Sequence, residues 1–179
     1  MTPGIRLLAG CLIAAAAALI PFAGHAQQKH VLSYERAADS SEYTRQLRID
    51  VGDVPGHQMR AYELEATHAN DSVRFLDVPL RKEYVRGLSD YVDSNGRHFG
   101  YTVYVLENED RIYARIDGTT QAATNGDGTR NITFSGVTTL TGGTGKFKGI
   151  RGALRYSGFY DPVANRSGDR TEGEYWFED

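Results

Sequence analysis

The sequence predicts one all-β domain, an antiparallel up-and-down barrel. Three observations predict it. At least seven segments of about 8–11 residues alternate between two kinds of side chain, as a half-buried strand requires. Each is joined to the next by a short turn signal, with no convincing helical pattern between them. The chain of 179 residues carries 11 tyrosines, 20 glycines and abundant threonine, a β-protein composition. Sequential strands linked by hairpins form an antiparallel meander. A long meander closes most simply into a barrel; a two-sheet sandwich is the alternative.

The elements follow in chain order. Residues 27–56 read as an N-terminal arm. Within it HVLSY (30–34) suits a short strand, and ERAADSSEYTRQLRIDV (35–51) suits a polar helix or an extended arm. Val54-Pro55-Gly56 then marks a turn into the barrel domain, residues 57–179. QMRAYELEATH (58–68) sets Met59, Ala61, Glu63, Glu65 and Thr67 on one face and Arg60, Tyr62, Leu64 and Ala66 on the other. EYVRGLSDYVD (83–93) turns at Ser94-Asn95-Gly96 into RHFGYTVYVLE (97–107). Asn108-Glu109-Asp110 leads to RIYARIDGTTQ (111–121), and a Gly- and Asp-rich turn to RNITFSGVTTL (130–140). ALRYSGFY (153–160) and RTEGEYWFE (170–178) close the meander.

The N-terminus reads as a secretory signal. Arg6 is the positive region, LLAGCLIAAAAALI (7–20) the apolar core, and Gly24-His25-Ala26 the cleavage site. The apolar run is short for a membrane span. Leu7-Leu8-Ala9-Gly10-Cys11 matches a lipoprotein signal. Cutting there would leave the most hydrophobic part of the signal on the mature chain, so simple export to the periplasm or the exterior is preferred. Cys11 is the only cysteine, so the mature protein has no disulfide and no Cys-based metal site. A mildly acidic chain, net charge −3, is a poor candidate for binding nucleic acid.

Residues 141–156, TGGTGKFKGIRGALRY, pose the sharpest local question. They are not a phosphate loop. Leu140 stands where the first glycine of a Walker motif belongs, Phe147 stands where its Ser or Thr belongs, and no helix follows. A tight connection fits better: the glycines allow positive φ, and KFKGI makes one helical turn that tucks Phe147 and Ile150 under the barrel end. This stretch resembles the Gly-Gly-Thr-Gly-x-Phe-x-x-x-x-Gly hairpin of the allene oxide cyclase barrel-like proteins, which include the dirigent proteins. It is similar above all to small exported bacterial members of that class, as are VRGLSDYVDSNG (85–96), YVLENEDRIYARIDGTT (104–120) and EGEYWFE (172–178). The resemblance implies an eight-stranded barrel, often assembled as a dimer or trimer. It carries no catalytic residue across, because the polar positions of those enzymes do not align here.

Candidate site residues follow from the strand patterns. Glu63 and Glu65 share a face. Inside the barrel they would raise each other's pKa and make one an acid or base; outside they are solvated, and the outward reading is preferred because carboxylates are rarely buried. Arg115 and Tyr113 alternate with Ile112, Ala114 and Ile116, so they are surface in a filled barrel and cavity lining in a ligand-holding one. Tyr62, Tyr104 and Tyr156 are further ligand-binding candidates, since a tyrosine offers a ring and a hydroxyl. The histidines show no metal-ligand spacing, no serine-hydrolase elbow exists, and no cofactor is expected. The expected function is an exported, non-catalytic barrel that binds a small apolar ligand or a protein partner. An isomerase- or cyclase-like enzyme acting on a reactive apolar substrate is the first alternative, and a structural role through oligomerisation the second.

Overall fold

The computed structural model describes residues 27–69, 71–126 and 128–178. The signal-like segment 1–26, with Cys11, lies outside them. Ten strands follow in order: β1 (His30–Arg36), β2 (Ser41–Asp50), β3 (His57–Thr67), β4 (Arg74–Phe75), β5 (Val78–Val92), β6 (Asn95–Leu106), β7 (Arg111–Thr124), β8 (Arg130–Gly143), β9 (Ile150–Asp161) and β10 (Arg166–Phe177). All pairings are antiparallel, in the order β1-β10-β9-β8-β7-β6-β5-β3-β2, with β4 on β5. The fold is therefore an all-β, up-and-down antiparallel sheet.

Two expectations are corrected. Among the described residues the strands number ten rather than eight, and the sheet is open rather than closed. Its order ends at β1 and β2, and no ladder joins them among the described residues. The segment read as an N-terminal arm supplies both ends: HVLSY forms most of β1, as a short strand was expected there, and β2 lies where a polar helix or an extended arm was expected. β1 pairs with β10, a 3₁₀ turn at Ala38–Ser40 crosses over, and β2 pairs with β3. Side chains bridge the gap in place of a ladder. Ser41 donates its hydroxyl to the Ser167 carbonyl at 3.1 Å, and the rings of Tyr43 and Tyr160 meet edge to face at 6.3 Å.

The turns are as tight as the sequence asks. β5 and β6 are joined by Asp93 and Ser94 alone, at φ 49° and 67°, the two positive values of a type I′ hairpin. The turn falls one residue ahead of the expected Ser94-Asn95-Gly96. In the glycine-rich hairpin, Gly145 has φ +51°, and a Cβ there would lie 2.1 Å from an Asp110 oxygen. The 3₁₀ turn Gly145–Phe147 that follows places Phe147 and Ile150 in full burial.

The core fills one end of the curled sheet. Phe75 and Phe147 plug it, with ring centroids 6.5 Å apart, and Tyr104 and Tyr175 each lie 5.5 Å from Phe75. Leu80, Leu106, Ile112, Leu140 and Leu154 complete the cluster. Burying each such side chain is worth about 1.5–3 kcal/mol. This packing anchors the strands at one end and leaves the other free to hold a cavity.

Candidate functional site

The inner face changes character along the strands. Toward the open end large apolar residues give way to glycine, serine, threonine and tyrosine, and a cavity of about 270 Å³ results. Gly118 and Gly136 are register partners on β7 and β8. A Cβ on either would lie 2.3 Å from the Tyr156 hydroxyl. Their missing side chains let that ring fold across the sheet. Tyr62 lies over Gly87 on β5 in the same way.

The inner end of the cavity is a buried ionic network. Arg36 and Asp169 are register partners on β1 and β10. Arg36 donates through Nε at 2.7 Å and through Nη2 to the same oxygen of Asp169, and Thr171 donates to the other oxygen at 3.1 Å. Glu83 on β5 is 5% exposed. Its Oε1 accepts from the Tyr34 hydroxyl at 2.9 Å and lies 2.8 Å from His68 Nε2. Burial pushes the Glu83 carboxyl up, but the His68 hydrogen bond and the Arg36 charge outweigh it and hold the group below the ordinary glutamate value. At Asp169 burial wins. Arg36 pulls against it, the Glu83 charge adds to it, and the carboxyl stands above its ordinary value.

Nearer the mouth, His98 on β6 joins three hydroxyls. Its Nε2 lies 2.7 Å from the Tyr156 hydroxyl, and its Nδ1 lies 3.1 Å from that of Tyr91 and 3.3 Å from that of Thr120. Burial, above all, pushes its pKa down to about 4, so the ring is neutral at pH 7. Beside it Arg60 on β3 lies over the rings of Tyr62 and Tyr43, 4.7 and 5.1 Å from their centroids.

The residues singled out from the sequence divide between the two faces. Tyr62, Tyr104 and Tyr156 line the cavity. Tyr113 and Arg115 face outward, Arg115 with a side chain 62% exposed, while Ile112, Ala114 and Ile116 point in. Glu63 and Glu65 also lie on the outer face, held by Arg86 at 2.8 Å and Lys82 at 2.6 Å. The inward placement that would make them catalytic is not what β3 adopts, because Tyr62, Leu64 and Arg60 take the inner face. Sequence reasoning missed Arg36, Glu83, His98 and Asp169. Alternation held a signal for Glu83, which shares its strand face with Val85, Gly87, Ser89 and Tyr91. Arg36 and Asp169 carried none, since they meet only through a ladder between the two ends of the chain.

No protein-family model, curated protein or solved structure matches this chain. Among the described residues no helix is long and apolar enough to cross a membrane, and no group of three or more His, Cys, Asp or Glu is placed to hold a metal ion.

Proposed function

We propose that this chain is an exported, non-catalytic protein whose half-enclosed cavity binds one small ligand with a largely apolar body. One observation carries the reading. Among the described residues, the buried side-chain polar atoms without a hydrogen-bond partner are Arg36 Nη1, Arg60 Nε and Ser89 Oγ, and all three residues line the cavity. An unmatched buried polar atom costs about 1–3 kcal/mol. Their gathering around one cavity supports a ligand as the missing partner. A cavity of about 150 Å³ accepts benzene, so one of about 270 Å³ suits roughly ten to fifteen non-hydrogen atoms. The signal-like pattern of residues 1–26 supports export, with lipid attachment at Cys11 the less favoured form. The glycine-rich hairpin and the meander support a place among the allene oxide cyclase barrel-like proteins, with their eight-stranded barrel as the parent architecture. An apolar outer row supports a dimer or trimer: exposed Leu47, half-buried Ala61 and exposed Leu88 and Phe99 follow one another in register across β2, β3, β5 and β6.

The test is a titration with 2-methoxynaphthalene, a neutral fluorescent probe of the right size. The protein should bind one equivalent saturably. Leu64→Trp, which fills the cavity wall, should weaken binding at least tenfold. Absence of saturable binding, or an unaffected variant, sinks the reading.

An isomerase- or cyclase-like enzyme is the second reading, favoured by Asp169. A carboxyl held above its ordinary pKa within a cavity is suited to donate or return a proton. Ligand extracted from the protein made by its own host should then be converted by the wild type and left intact by Asp169→Asn. Mass spectrometry showing no change with wild-type protein ends this alternative.

A further inference from the structure

We propose that the mouth of the cavity is an anion site, and that its ligand is a small planar aromatic monocarboxylate held there by Arg60 and Arg48. The inference rests on the ligand-binding reading and names the chemistry of the same site.

Four observations lead to it. Arg48 on β2 and Arg60 on β3 are direct register partners, both line the cavity, and neither forms an ion pair among the described residues. Like charges directly opposite each other on a sheet repel. Among the described residues their one shared acceptor is the neutral Gln46 Oε1, 2.9 Å from Arg48 Nη2 and 3.3 Å from Arg60 Nη1. A bound carboxylate would turn this repulsion into attraction. Second, Arg60 Nε is buried and unmatched. A guanidinium edge with an unused N–H is the donor that a planar carboxylate accepts from most strongly.

Third, the charge balance of the lining fits a single negative charge. Arg36, Arg48 and Arg60 stand against Glu83 and Asp169, with His98 neutral. The two carboxylates sit around Arg36, which leaves Arg48 and Arg60 as the lining charges that no lining carboxylate offsets. Fourth, the walls beside Arg60 are aromatic. Tyr43 and Tyr62 flank the guanidinium, and Tyr91 and Tyr156 also line the cavity. Flat ring faces favour a flat ligand body. Arg48 and Arg60 hold the anion, and the tyrosines take the ring.

The experiment compares two probes of equal shape, 2-naphthoate and 2-naphthamide. Protein expressed from the full 179-residue sequence is titrated with each at pH 7, by fluorescence and by calorimetry. The carboxylate should bind at least tenfold more tightly than the amide. In Arg60→Gln the two affinities should fall within about twofold of each other, Arg48→Gln should narrow the gap, and Leu64→Trp should weaken both probes. Equal binding of the two probes by the wild type overturns the anion site, needs no variant to fold, and leaves the cavity reading standing. A preference that survives in a folded Arg60→Gln overturns the assignment to Arg60. If neither probe nor 2-methoxynaphthalene binds, the ligand-binding reading itself falls.

Discussion

His98 shows how a single residue can be decided by its surroundings. Its ring is closed in by Tyr91, Thr120 and Tyr156, and its charged form is disfavoured by burial, with a folded pKa of about 4 against 6.5 ordinarily. The unfolded chain binds a proton at this site between those values and the folded chain does not. Its contribution to stability is therefore complete above pH 6.5 and is lost as pH falls toward 4, by about 3 kcal/mol. His98→Gln keeps a donor and an acceptor but cannot titrate. Urea unfolding at a series of pH values should show the wild type losing stability between pH 6.5 and 4 more steeply than the variant. Parallel curves for the two proteins would refute a neutral buried His98. The sequence shows His98 only as a histidine without a partner nearby. Its partners lie on β5, β7 and β9, and no spacing rule reaches across three strands.

Within β7 and β8 the glycines do more than permit turns. Gly118 and Gly136 sit mid-strand, where replacing glycine with alanine ordinarily gains about 0.5–1 kcal/mol. Here a Cβ on Gly136 would meet the Asp117 carbonyl and the Tyr156 hydroxyl, each at 2.3 Å. Gly136→Ala should instead cost about 1–3 kcal/mol, the usual penalty for overpacking. It should also weaken 2-methoxynaphthalene binding, because Tyr156 has to leave its place. A stabilised variant with unchanged binding would show that Tyr156 does not lie across these strands. The alternation on β5 likewise gives Glu83 the same direction as Val85 and Tyr91. Periodicity tells which residues share a face; it does not tell which face is covered.

At the scale of the molecule, the packed end and the open end differ in how they are held. Among the described residues β5 to β9 are each paired on both sides and share the core, whereas β1 pairs only with β10 and β2 only with β3. β2 is exposed along Arg45–Asp50. Its amides should exchange with deuterium about a hundredfold faster than those of β7, since local opening there breaks one ladder and little packing. Equal protection would mean that a second copy or a closing ladder covers the β2 edge. The all-β class, the meander and the hairpins were legible in the sequence, because period-two alternation and turn residues are local physics. So was the burial of Phe147 and Ile150 behind the glycine-rich turn. Tyr62, Tyr104 and Tyr156 were found as residue types, and Tyr113 and Arg115 could not be told from them. Tertiary structure alone decided which face of each strand turns inward, that residues 30–50 join the sheet at both its ends, and that Arg36 meets Asp169. The reason is physical: the inward face is chosen by the curl of the whole sheet, and a buried ion pair forms only where two distant strands come into register.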